Sequence, residues 1–434
     1  MIPKSVLPRV LGSDLQVPLA DGATATFANF DHAATTPCMA AVAEAVNDFL
    51  PWYGSTHGGA GTLSEMATAR FEESRQAVRR FVGCRPDDYL VFTHSTTDAL
   101  KLLAQAVPED ATVVVFDSEH HAVLLPWRNV HRLPIPTSVD AMLATLDQTL
   151  RAQRGTVLVA VSGVLNVTGE LVPLEDVVAV CRRYGAQIVV DAAQLAAHRP
   201  IDIGALDVDY IAFSGHKMYA PFDIGVLAGR PDWLADAHPR LAGCGATIGV
   251  ADGVTEINWA TGESRHEAGA PNVVGAVALA AACRALEVAW NSLMPYESAL
   301  LGRLRSGLVE IPEVVELSLF GPASDRLGMV AFVVDGLDSA LLATALSLEH
   351  GIGVRHGSFC AQPLARHLLR GAGRSATATA LRASLGLGIN VAHVDRLLDA
   401  VRAISEIGPQ LFYVSANGAW WPSTEATSSR LRAR

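Results

Sequence analysis

Short runs of apolar, β-branched residues alternate along the chain with longer stretches of helical pattern, and this alternation limits the fold more than any other feature. It predicts strands over residues 89–92, 112–116, 156–161, 188–190, 210–213 and 225–227. Most of these runs are apolar throughout, as strands covered on both faces by helices should be. Helical stretches over 98–106, 140–151 and 173–184 lie between them. The expected fold class is α/β, with an open, mostly parallel sheet. Thr62-Leu-Ser-Glu65 reads as a capping box opening a helix that runs towards Val82.

Beyond the sheet, an Ala-rich apolar helix over 273–290 is expected to bridge to a smaller α/β unit. That unit holds a strand at 329–334 under helices near 337–346 and 393–404. The predicted organisation is a large domain over 26–285, a small C-terminal domain over 286–412 with 1–25 packed on it, and a flexible tail over 413–434. Within that tail, Trp420-Trp421 is a candidate docking pair. Half of the 434 residues are hydrophobic, enough for a large core. The formal net charge of −11 argues against nucleic acid as the main partner. The reading finds neither a signal peptide nor a membrane-spanning segment, so the expected location is the cytoplasm. Six cysteines are scattered without a C-x-x-C pair, which points away from a disulfide framework or a metal site.

The chemistry concentrates at strand ends. Phe213-Ser214-Gly215-His216-Lys217 follows an apolar strand and sets a lysine at the carboxyl edge of the sheet, where α/β ligand sites form. A partly desolvated amine there can lose its proton and attack an aldehyde; a surface lysine is the competing reading. Asp191-Ala-Ala-Gln194 ends another buried strand. A carboxylate in that place keeps a pyridine nitrogen protonated and its ring electron-poor, and Gln194 can meet the ring's phenolic oxygen; the plainer reading is a helix cap. Ser95-Thr96-Thr97-Asp98 joins a strand to a helix and offers amides and hydroxyls to a phosphate. An ordinary N-cap has the same sequence. His120, after the 112–116 strand, is placed to stack on such a ring; a surface histidine is the competing reading. Together the four point to pyridoxal 5′-phosphate.

The set resembles the class V aminotransferase superfamily of pyridoxal-phosphate fold type I, and within it the group II cysteine desulfurases and selenocysteine lyases. The likeness spans about residues 29–404 and rests on Asp31-His-Ala-Ala-Thr-Thr36, Ser95-Thr96-Thr97, Glu119-His120-His121, Asn166-x-x-Gly169, Asp191-Ala-Ala-Gln194, Ser214-Gly-His-Lys217, Glu267-Ala-Gly-Ala-Pro-Asn272, Arg355-x-Gly-x-x-Cys360 and Arg382-Ala-Ser-Leu385. The resemblance implies a large domain with a mostly parallel central sheet and a smaller C-terminal α/β domain. It makes Lys217 the covalent cofactor anchor and proton carrier, Asp191 the partner of the ring nitrogen, and His120 the stacking ring. Gln194 and Asn166 lie near the phenolic oxygen or the substrate, while Thr96, Thr97, Ser214 and His216 bind the phosphate. Arg382 clamps the substrate carboxylate, with Ala33, Asn166, His57 and Arg355 also lining the substrate site. Cys360 takes the sulfur as a persulfide.

The implied partners are L-cysteine or a related sulfur or selenium amino acid, a second copy of the chain, and a sulfur-acceptor protein. The sequence departs from the family pattern at Gly58, Ala220, Cys244 and Ala270. A C–S lyase releasing thiol, pyruvate and ammonia, or another class V reaction, would keep Lys217 and Asp191 and need no nucleophilic cysteine. A non-catalytic scaffold would need none of the three residues Lys217, Asp191 and His120.

Overall fold

The computed structural model describes residues 7–423 apart from 255, 376 and 417. Seven strands form the large sheet, in spatial order Tyr89–Thr93, Gly225–Gly229, Tyr210–Ser214, Gln187–Asp191, Val157–Ser162, Thr112–Phe116 and Val130–Leu133. The last five run parallel. Gly225–Gly229 is antiparallel to both of its neighbours, so the sheet is mixed at one edge. Val157–Ser162 and Tyr210–Ser214 are buried at every position, which is why they read as unbroken apolar runs. Val130–Leu133 escapes the sequence reading because this edge strand carries His131 and Arg132, both exposed.

A second sheet of four antiparallel strands follows, in the order Val314–Leu317, Met329–Val334, Ala380–Ser384 and Arg355–Gly357. Helices Ser339–His350 and Val391–Ile407 pack beside it. The expected bridging helix is longer than its apolar stretch suggests and runs Val273–Val309. Its first half, to Leu293, belongs to the core of the large lobe; from Leu300 it belongs to the core of the small one. Pro295 falls at the changeover, where its missing N–H removes one rung of the helical ladder. This helix is long and apolar enough to cross a membrane, yet 72% of its most apolar window is buried inside the protein.

Two local expectations change. The helix Thr62–Phe81 starts one residue earlier than a Thr62 cap allows. Gly61 is its N-cap, its carbonyl accepts from the Glu65 amide at 3.1 Å, and no side-chain cap forms. Part of the expected tail is ordered: Tyr413–Ala416 and Ala419–Pro422 make a hairpin that pairs Val414 with Trp421. Gly418, at φ +77°, supplies the turn. Trp420 does dock, its indole N–H donating to Asp338 Oδ1 at 2.9 Å. The remainder of that tail, 424–434, lies outside the described residues. At the other end, Arg9 and Leu11 bond to Ala40 and Cys38 of the large lobe, while the Ala20 amide donates to the Leu348 carbonyl at 2.8 Å and Ala28–Asn29 pairs with Ile352–Gly353, so the N-terminal segment touches both lobes.

Candidate active site

Strand ends converge at the carboxyl edge of the large sheet on a cavity of about 240 Å³. Its lining includes Ala33, Thr96, Thr97, His120, Asn166, Asp191, Gln194, Ser214, His216, Lys217, Arg355, Cys360 and Arg382. Asp191 and Ser214 are the last residues of their strands, and Lys217 closes a single 3-10 turn after Ser214. Around this turn wraps the Asp31–Thr36 motif. The Thr36 amide and hydroxyl both donate to the His216 carbonyl, at 2.9 and 3.0 Å, and the Thr35 hydroxyl donates to it at 3.1 Å.

One end of the cavity suits a phosphate. Ser95 caps the helix Thr96–Ala106, accepting from the Asp98 amide, while Asp98 Oδ2 accepts at 2.9 Å from the amide of His94, one residue before the cap. The Thr96 amide donates to Ser214 Oγ at 2.7 Å, and the two hydroxyls lie 2.6 Å apart. Gly225 lets the neighbouring strand approach this turn. A Cβ there would meet the Ser95 backbone at 2.6 Å. Amides and hydroxyls at the positive end of a helix favour an anion.

The middle is electrostatically tuned. Burial pushes the Lys217 amine below the ordinary lysine range, and the Asp191 carboxylate draws it part of the way back. Burial likewise raises Asp191, opposed by Lys217 and by the Ala193 amide, which donates to Oδ1 at 2.9 Å. His120 Nδ1 accepts from the Ala122 amide at 3.1 Å, which fixes the ring. Burial, helped by Lys217, lowers His120 to about 4, so the ring is neutral near pH 7. Gln194 Nε2 donates to the Ala33 carbonyl at 2.8 Å, and the Ala33 amide donates to Ser384 Oγ at 2.9 Å. A phosphate cradle, a flat neutral ring and a buried carboxylate around an amine form a donor set that fits pyridoxal phosphate.

At the other end lies Arg382, 3% exposed, with Nη1 donating to the Asn166 carbonyl at 2.7 Å. Its Nε is buried without a partner among the described residues and suits a carboxylate. Cys360 sits beside it on a constrained loop. Phe359 and Cys360 both have positive φ, +53° and +54°, a left-handed backbone costing about 1–2 kcal/mol per non-glycine residue. The loop is tied down by Asn166 Nδ2, which donates to the Phe359 carbonyl at 2.6 Å, and by the His121 amide, which donates to the Cys360 carbonyl at 2.9 Å. The Arg382 guanidinium lies 5.0 Å from the centre of the Phe359 ring.

His57 is not among the cavity residues. It is half-exposed, 3.1 Å from Glu72, with its ring edge on Phe71. Gly58, Cys244 and Ala270 also lie off the lining. The sequence reading gave no role to Glu119, although the residue stands next to His120. It is 1% exposed and accepts from the Ser162 amide and hydroxyl, at 3.0 and 2.5 Å, and burial raises it to about 8. The sequence likewise assigns no role to the Asp31 carboxylate or to Phe359, although each lies in a motif that it singles out.

Residues 28–397 match the family model described as Aminotransferase class-V. A cysteine desulfurase of Pectobacterium atrosepticum is 32% identical over 82% of this chain and 87% of its own length. A probable cysteine desulfurase of Mycolicibacterium paratuberculosis is 34% identical over 87% of this chain, which spans 55% of that longer protein. Among solved structures, the apo cysteine desulfurase of Thermococcus onnurineus aligns with a TM-score of 0.78 at 30% identity, covering 88% of this chain and 95% of its own.

Proposed function

The chain belongs to the class-V aminotransferase family, which depends on pyridoxal phosphate, and from that premise we propose how it acts: it is a cysteine desulfurase that converts L-cysteine to L-alanine, with Lys217 anchoring the cofactor and Cys360 accepting the sulfur. When bound, the cofactor supplies an electron sink that makes the substrate's Cα–H acidic. Asp191 would pair with the ring nitrogen, and the neutral His120 ring would pack on the bound ring. Thr96, Thr97, Ser214 and His216 would hold the phosphate. Arg382 grips the substrate carboxylate in a dry setting, where a paired guanidinium is strongest.

Lys217, whose amine burial pushes below the ordinary lysine range, takes the Cα proton and returns it. The Cys360 thiolate attacks the substrate sulfur. The Cβ–S bond breaks, a new S–S bond forms on Cys360, and the carbon gains a proton to complete alanine. The observation that carries this reading is the placement of Cys360 in the same cavity as Lys217 and Arg382. A C–S lyase would leave that placement without a chemical use. Family membership also supports a homodimer, a cytoplasmic location and a sulfur-acceptor protein as part of the same reading.

The test is mass spectrometry of the protein stopped during turnover of L-cysteine, with alanine and pyruvate assayed alongside. The expected result is alanine with one added sulfur on the Cys360 peptide, and a Cys360→Ser variant that forms no alanine. Pyruvate with unmodified Cys360 would replace this reading with the lyase.

A further inference from the structure

We propose that Asn166 is a positioning residue for Cys360, joining the carboxylate clamp to the nucleophile loop. This one residue makes two bonds. Its backbone carbonyl accepts from Arg382 Nη1 at 2.7 Å, and its side-chain amide donates to the Phe359 carbonyl at 2.6 Å. The loop it holds is locally unfavourable, with Phe359 and Cys360 consecutive in the left-handed region and Gly357 before them at φ +124°. Such a backbone persists only where its surroundings over-determine it.

Here the ties are few. Asn166 Nδ2 holds residue 359, the His121 amide holds residue 360 at 2.9 Å, and the Ala361 amide closes the turn on the Ser358 carbonyl at 2.9 Å. The Phe359 ring is 8% exposed and lies against Arg382, so the clamp touches the loop through this ring as well as through Asn166. Asn166 lies 193 residues before Phe359 in sequence. Its carboxamide adds a polar tie to the packing of the Phe359 ring in the large-lobe core, fixing where the Cys360 sulfur stands while the neighbouring guanidinium is engaged by substrate.

The inference takes its catalytic meaning from Cys360 as sulfur acceptor, so it rests on the function proposed above. Its structural part does not. Asn166→Asp keeps the size and loses the donor, and Asn166→Ala removes the side chain. Three measurements on the holoenzyme decide the matter: amide hydrogen exchange of the peptide covering 354–364, spectroscopic titration with L-cysteine, and the rate of persulfide formation on Cys360.

Both variants should exchange that peptide about tenfold faster than wild type, with the Tyr210–Ser214 peptide unchanged. Persulfide formation at saturating L-cysteine should slow about tenfold or more, whatever the variants do to substrate affinity. Unchanged exchange in both variants overturns the proposal. So does a wild-type rate at saturating L-cysteine, which would confine Asn166 to substrate binding. If wild type forms no persulfide, the proposed function fails, and exchange alone then decides whether Asn166 holds the loop.

Discussion

Arg355 and Arg382 are register partners on adjacent antiparallel strands, and the Asp31 carboxylate lies 3.4 Å from the first and 3.6 Å from the second. Two like charges directly across a sheet repel, so one carboxylate serves two guanidiniums. Burial lowers Arg382 only to about 10, which leaves it cationic near neutral pH. A substrate carboxylate therefore enters a site where positive charge is only partly offset.

Asp31→Asn should lower stability by about 1–3 kcal/mol, because a largely buried guanidinium loses its counter-charge. A carboxylate ligand should restore it. Added L-alanine should then raise the melting temperature more in the variant than in wild type. Equal shifts would mean that ligand carboxylates bind elsewhere.

The chain has three lysines: Lys217 faces the cavity, Lys101 does not, and Lys4 lies outside the described residues. Protein loaded with pyridoxal phosphate and reduced with borohydride should carry the cofactor's mass on the Lys217 peptide. The Lys217→Ala variant should carry none. A label on Lys101 would contradict the site.

Asp191→Asn preserves an oxygen to accept from the Ala193 amide and discards the charge. Turnover should fall by about two orders of magnitude or more, while the phosphate cradle retains the cofactor. Steady-state rates alongside absorbance spectra separate the two effects. Near-normal turnover would reduce Asp191 to a structural cap.

Glu119 gives a pH signature. Its folded value of about 8 stands above its ordinary value of 4.5, so between these pH values the native state holds a proton that the unfolded state has released. Stability contributed by this group is therefore full at acid pH and is lost as pH rises through that window. Glu119→Gln should match wild type near pH 4.5 and exceed it near pH 8 by about 1–3 kcal/mol in denaturant unfolding. A variant less stable at pH 8 would show that Glu119 is ionised in the fold.

What was legible in the sequence was local. Asp191 and Ser214 end unbroken apolar runs, and a polar residue ending a buried strand must emerge at the sheet's edge, with Lys217 one turn beyond. The Ser95 cap was equally readable, since all its bonds lie within four residues. The placement of Cys360 was not readable from spacing, because it depends on contacts with Asn166 and His121, both more than 190 residues earlier in the chain. The motif resemblance suggested it. Thr62 misled because a capping pattern does not say which residue opens the helix. The hairpin at 413–422 was hidden by the polar composition of the residues after it.

The helix Val273–Val309 ties the fate of one lobe to that of the other. A rod that completes two hydrophobic cores couples them, because losing it strips apolar cover from both. The two lobes should therefore melt as one event, which agreement of the calorimetric and van't Hoff enthalpies would check.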